Sequence, residues 1–404
     1  MSLVTRPGRR RAVLVLSLLG AGLMPLGVLA AQATADDVRS RAWHLDAMQA
    51  DDMWKVSRGE GVTVAVLDTG VDSSVPELRG QTLEGVDLSS EPTGPDRDQD
   101  GHGTNMASLI AGTGVDGGVQ GLAPGVKILP VKVVGKGDQV FSGDDPVWAG
   151  AIRYAVDHGA RVISISMVAH GLVGNSTRTE AALKYALGKG GLVFAGAGND
   201  GDGANVENFP ASFPGVVSVG AVDKDRKVTK WSNSASHVAL AAPGDDIPER
   251  CTKTSGFCAS GGTSQATALA SASAALIWSK HPDWTNNQVL RVMMDTAGKP
   301  ATGGVPSIYL GYGIVRPRKV LVDGEGNPGP ADVNPLLAAG KAAASPKPSS
   351  SGEPKPSTST RDSATKSKQD EGGTSISWPS IAIGAAAVVV VATGIVFLRR
   401  RGQR

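Results

Sequence analysis

Residues 62–70 read VTVAVLDTG. Six apolar or β-branched residues run unbroken from Val62 to Leu67 and end on the carboxylate of Asp68. That is the composition of a strand buried on both faces, with a polar group emerging at its carboxyl end. Three more runs of this kind follow, KILPVKVV at 127–134, RVISIS at 161–166 and GLVFA at 191–195, with Ala-rich stretches between them. Short strands alternating with helices predict an α/β fold with a doubly wound, mainly parallel sheet. Ligands of such sheets sit beyond the carboxyl ends of the strands, which makes Asp68, Ser166 and Asn199 candidates for a site.

The 404-residue chain carries 40 Lys and Arg against 38 Asp and Glu, a formal net charge of +2. Phosphate binding relies on an excess of basic charge, so no nucleic-acid partner is expected. The chain combines 53 Gly and 24 Pro with a hydrophobic fraction of 41%, which predicts one well-cored unit joined to something looser.

The ends of the chain supply the looser part. Arg6, Arg9, Arg10 and Arg11 precede an apolar run from Ala12 to Leu29 and a small-residue stretch from Ala30 to Ala35. This three-part pattern predicts an export signal over 1–35 and a mature chain from near Asp36. Residues 36–325 are expected to form the folded unit. A segment rich in Pro, Ser and Lys over 326–375 offers too little apolar surface to fold and reads as a tether. Residues 376–398 contain the uncharged run from Ile381 to Leu398. From Trp378 to Leu398 a helix would extend about 31 Å, enough to cross a bilayer. Arg399, Arg400 and Arg401 would then stay in the cytoplasm, in a tail over 399–404, with almost all of the mature chain outside. The expected location is therefore the cell membrane, crossed once. In an exported chain, Cys251 and Cys258 are expected to form one disulfide just before Ser264. With no Cys/His cluster at ligand spacing, zinc is not expected.

The residues that carry chemistry are Asp68, His102 in DGHGTNMASLIAG, Asn199 in VFAGAGND and Ser264 in SGGTSQATA. A serine hydroxyl is a weak nucleophile until an imidazole takes its proton, and the imidazole needs a carboxylate to set its tautomer. A developing oxyanion needs donors, which the Asn199 amide and the Ser264 backbone N–H at a helix start can supply. Taken singly, Asp68 reads as a turn residue, Ser264 as a helix cap and His102 as a structural histidine. The glycines around them point to chemistry, since Gly101, Gly103, Gly261 and Gly262 allow close approach where a Cβ would clash. Gly262 to Ala266 nearly meets the G-x-S-x-G elbow of another hydrolase fold. That fold needs its histidine after the serine, and only His281 follows, at the end of the same helix.

With DTG, GHGT, GAGN and GTS in the order Asp, His, Ser, the chain resembles the subtilisin-like serine proteases over about 280 residues, from Trp43 to Leu321. The resemblance implies Asp68 as imidazole orienter, His102 as general base and acid, Ser264 as nucleophile and Asn199 as oxyanion donor. It implies a peptide substrate lying along Ser166, Met167 and Val168 on one side and Gly196 and Ala197 on the other. In architecture the chain is similar to the mycosins, membrane-anchored subtilases associated with type VII secretion, which adds subunits of that complex as partners. The expectation is a serine endopeptidase without cofactor, and its alternative is a subtilase-fold scaffold in such a complex. Glu77 stands where family members often hold calcium, but the stretch from Thr113 to Gly121 is short for that loop, and no metal is expected. The chain departs from the family's pattern at Asn105, Val168, Gln265 and Ala268, and of these Val168 bears on substrate pairing.

Overall fold

Strand β1 (Thr63–Asp68) is parallel to a neighbour on each side, β3 (Lys127–Lys132) and β4 (Val162–Ile165). This is a computed structural model, which describes residues 38–135, 146–170 and 177–344. The expected export signal, most of the tether, the spanning segment 376–398 and the basic tail lie outside the described residues. With β2 (Val86–Asp87), β6 (Leu192–Gly196), β8 (Val217–Val222) and β9 (Val238–Pro243), a seven-stranded sheet forms in the order β2-β3-β1-β4-β6-β8-β9. Every pairing in it is parallel.

The period of two along β1 sorts its side chains. Val64 and Val66 enter one core and Ala65 and Leu67 the other. The first core includes α3 (His102–Ala111), α6 (Thr263–Lys280) and α7 (Asn286–Thr296). The second includes α4 (Pro146–Asp157) and α5 (Thr177–Gly188). Helices therefore cover both faces, as the sequence predicts. From β1 the chain passes to β2 and β3 on one side and then crosses to β4 on the other, so the winding reverses beside β1. At such a reversal the connections leave in opposite directions and open a crevice at the carboxyl ends. Asp68 ends β1 and Ser166 follows β4 at that point.

Helix α6 is buried from Thr263 to Trp278 with the single exception of Ser264. It packs on β4, β6, β8 and β9 and against α3, α7 and α8 (Pro317–Leu321). A helix enclosed in this way must be narrow, which is why it reads TSQATALASASAAL. Two of its hydroxyls are absorbed by its own backbone, Thr267 Oγ1 donating to the Thr263 carbonyl and Ser273 Oγ to that of Leu269, both at 2.7 Å.

The folded unit is extended at both ends. Ahead of β1, α1 (Trp43–Ala47) and α2 (Ala50–Trp54) bury Leu45 and Met53. The Trp43 indole donates to the carbonyls of Asp245 and Asp246, and that of Trp54 to Leu122. At the other end contacts continue past residue 325. Side chains on α7 reach the backbone beyond it, from Asn287 to Ala331, Gln288 to Gly329 and Arg291 to Val333. Helix α9 (Pro335–Ala344) follows, and Leu336 packs on the first core. The Pro-rich composition concealed this because the tail is held by polar contacts to its carbonyls, with little apolar surface of its own. Among the described residues, no helix is long and apolar enough to cross a membrane.

Substitution Ala270→Leu tests the enclosure of α6. Ala270 is fully buried, so a larger side chain should lower stability by about 1–3 kcal/mol, read as a lower urea midpoint at unchanged slope. An unchanged midpoint would show slack around the helix.

Candidate active site

Helix α3 delivers His102 to the end of β1. Gly101 precedes it with φ 90°, a left-handed conformation that glycine adopts without a Cβ penalty. Gly103 faces the strand so closely that a Cβ would lie 2.1 Å from the Gly70 carbonyl oxygen and 3.0 Å from Asp68 Cβ. The two glycines thus serve different ends, a turn and a close approach. At this separation His102 Nδ1 meets Asp68 Oδ1 at 2.7 Å. Asp68 is fully buried, and its Oδ1 also accepts from the Thr69 backbone N–H at 2.8 Å.

Burial opposes the charged form of His102, but the charge and hydrogen bond of Asp68, with the charges of Glu249 and Asp100, outweigh it. The pKa is pushed up from 6.5 to about 9. The pairing with Asp68 thus favours the protonated ring. The Ser264 hydroxyl donates to the Ser166 carbonyl at 3.0 Å and not to His102, while Ser166 Oγ donates to the Ser264 carbonyl at 3.1 Å. An imidazolium has no ring acceptor, so this arrangement is compatible with the protonated ring.

Asn199 stands against the first turn of α6. Its side-chain oxygen accepts from Thr263 N at 2.8 Å and Thr263 Oγ1 at 3.0 Å, which leaves its amide hydrogens to point elsewhere. Asn199 Nδ2 and the Ser264 backbone nitrogen lie 3.5 and 3.6 Å from one point, the place a Cβ on Gly262 would take, and Gln265 Oε1 lies 2.7 Å from it. The two donors thus both border the space left open at Gly262, at the start of α6. A Cβ on Gly196 would lie 2.9 Å from Thr263 Oγ1, so β6 closes directly on the start of α6. Ala197 is buried, with its carbonyl accepting from Asn208 Nδ2, and Met167 and Val168 are partly exposed beyond β4. His281 caps the far end of α6, stacked on Trp284, about 26 Å along the axis from Ser264. The elbow reading is excluded by that separation.

A hairpin that the sequence marked only by its cysteines closes over this region. Strands β10 (Ile247–Arg250) and β11 (Phe257–Ser260) pair antiparallel, and Cys251 is disulfide-bonded to Cys258. Two of the departures from the family's pattern hold it in place. Asn105 Nδ2 donates to the Arg250 carbonyl and its Oδ1 accepts from Arg250 N, while Gln265 Nε2 donates to Glu249 Oε2 at 3.0 Å. Burial pushes the Glu249 carboxyl up, opposed by the Gln265 hydrogen bond and by His102. Arg250 grips Glu77 in a bidentate pair with both contacts at 2.6 Å, and Glu77 is fully buried. Glu77, the residue considered for calcium, therefore already has a cation, and Gly118 closes on the same carboxylate. Among the described residues no group of three His, Cys, Asp or Glu side chains is arranged to hold a metal ion. Glu249 and Arg250 gave no signal in the sequence by themselves. The unusual polar residues at 105 and 265 were the trace of them.

The chain belongs to the subtilase family, whose model matches residues 59–313. It is 36% identical over 267 residues to the thermophilic serine proteinase of Bacillus sp. (strain AK1), covering 66% of this chain and 63% of that one. It is 37% identical over 229 residues to thermitase of Thermoactinomyces vulgaris, covering 56% and 78%. Among solved structures, MycP1 from Mycobacterium smegmatis matches with a TM-score of 0.62 and 29% identity, over 72% of this chain and 86% of that one. The MycP3 protease from the type VII (ESX-3) secretion system matches with 0.61 and 31%, over 69% and 88%.

Two outcomes follow from this geometry. The His102 ring should titrate near pH 9 by NMR, and Asp68→Asn should move the midpoint down. Because the folded pKa exceeds 6.5, the linked stabilisation is complete below pH 6.5 and is lost as pH rises through about 9. Denaturation midpoints that do not fall over that window would contradict the assignment. Separately, Arg250→Ala leaves the Glu77 charge buried and alone and should cost about 3–5 kcal/mol, most of it regained in Glu77→Gln with Arg250→Met. Chemical denaturation of the three proteins decides it.

Proposed function

We propose that this chain is an exported, membrane-anchored serine endopeptidase that cleaves peptide bonds through an acyl-enzyme. The observation that carries this reading is the 2.7 Å Asp68–His102 pair together with Ser264, the one partly exposed position in the first four turns of the otherwise buried α6. Once His102 loses its proton, Nε2 becomes an acceptor and a change of rotamer brings Ser264 Oγ off the Ser166 carbonyl. His102 Nε2 takes the Ser264 hydroxyl proton as Oγ attacks the scissile carbonyl, and the resulting oxyanion accepts from Asn199 Nδ2 and Ser264 N. His102 then protonates the leaving amine, Asp68 stabilises the imidazolium, and water releases the acyl group by the same route. The substrate, an extended polypeptide, would pair with the chain at Ser166–Val168 and lie beside Gly196–Ala197, Val168 limiting the side chains accepted there.

Anchoring is supported by the apolar segment before Arg399 and by the arginine-flanked leader. A place in a type VII secretion complex is supported by the likeness to MycP1 and MycP3. A scaffolding role in such a complex is the second reading, favoured by the Ser264 hydroxyl donating to the Ser166 carbonyl and not to His102.

A fluorophosphonate should label the full-length protein in its membranes, faster as pH rises toward 9, and should leave Ser264→Ala unlabelled. Asn199→Ala should lower kcat by about 100- to 1000-fold. Folded wild-type protein that resists labelling at every pH would leave the scaffold. Chains ending at residue 375 should appear in the soluble fraction, and their retention in the pellet would count against the anchor.

A further inference from the structure

Asp98 lies four residues before His102 and touches neither it nor Ser264, yet its carboxylate accepts five hydrogen bonds. Oδ1 takes Thr69 Oγ1 at 2.9 Å, Asp100 N at 3.2 Å and Gly101 N at 2.8 Å. Oδ2 takes Thr104 N at 2.8 Å and Thr104 Oγ1 at 2.6 Å. We propose that Asp98 is a positioning residue for catalysis: it clamps the first turn of α3 to the residue after Asp68, and so sets the distance between Asp68 and His102. The inference rests on the reading of those two residues as orienter and base.

A helix start leaves N–H groups without partners, and Gly101 has no side chain to cap them. Here Thr69 Oγ1 accepts from Gly103 N at 3.0 Å and Asp98 takes Thr104 N. An ionised carboxylate only accepts, so it forces each threonine hydroxyl to donate to it and turn its lone pairs outward. Thr69 is thereby held as acceptor for Gly103, and Thr104 as acceptor for Asp72 N at 2.9 Å. The negative charge also suits the positive end of the helix dipole. Thr69 follows Asp68 and Gly103 follows His102, so this relay ties the neighbours of both members of the pair.

Asp98 is itself held from the sheet. Lys132, nearly fully buried and in register with Asp68, donates to the Arg97 carbonyl at 2.6 Å and to Thr93 Oγ1 at 2.9 Å. Val71 N donates to the Pro95 carbonyl at 2.9 Å. The loop before α3 is thus anchored to the ends of β1 and β3, and Asp98 transmits that anchorage to His102. Where a Cβ on Gly103 would already overlap the strand, a slip of α3 by a fraction of an ångström would lengthen a short hydrogen bond.

Asp98→Asn keeps the shape but sets a donor amide against Thr104 or Thr69. We expect kcat to fall about 10- to 100-fold, as small misplacements do, with KM within about twofold. The NMR midpoint of His102 should fall toward 6.5. Thr69→Val should change both readouts in the same way, Thr69→Ser should restore them, and the double variant Asp98→Asn with Thr69→Val should be no worse than either alone. A merely structural cap would lower the melting temperature while kcat per active site and the His102 midpoint stayed as in wild type, and that result would overturn the proposal. The threonine pair decides the matter if Asp98→Asn fails to fold. The NMR arm needs no turnover, so it tests the clamp even in a protein that no fluorophosphonate labels.

Discussion

One hydrogen bond across a narrow gap, from His102 Nδ1 to Asp68 Oδ1, sets the terms for the surrounding structure. It joins the last residue of a strand to the first residue of a helix, so it exists only if those elements approach to backbone contact. Gly103 permits that approach, because the Gly70 carbonyl occupies the place of its Cβ. Burying Asp68 completely removes water as a competing partner and makes the imidazolium its counterion. The same bond that orients the ring also raises its pKa, while the serine hydroxyl donates to the Ser166 carbonyl.

Around this pair the protein substitutes side-chain contacts for features a sequence comparison would look for elsewhere. Arg250 brings a guanidinium to Glu77 where a metal ion was conceivable, and a guanidinium is bound to the chain and always charged. That pair, the Asn105 contacts and the Glu249–Gln265 hydrogen bond attach one disulfide-closed hairpin to both the histidine helix and the serine helix. Two helices far apart in the chain are thus braced by the same fourteen residues, 247–260, and Glu249 adds its charge to the field at His102.

The alternation of strand and helix was legible because buried parallel strands are uninterrupted apolar runs, and the observed strands begin and end within two residues of the predicted ones. The candidate residues were legible because glycines mark places without room. The docking of residues 326–344 was not, since it depends on Asn287, Gln288 and Arg291 meeting carbonyls, which any sequence possesses. Asp98 was also silent, as an aspartate in a polar loop resembles any turn residue until its five donors are seen.

From its order of residues alone, this protein is committed to a doubly wound sheet, to an acid, an imidazole and an alcohol at the ends of its elements, and to a small-residue helix that must be enclosed. Side-chain period and apolar run length act locally, so they survive in a linear reading. Which proton sits where, which carboxylate meets which cation, and which hydroxyl faces which carbonyl were decided only by folding. Those choices turn on distances of a few ångströms between residues up to 173 positions apart, and electrostatic and hydrogen-bond energies fall off too steeply with distance for sequence spacing to record them.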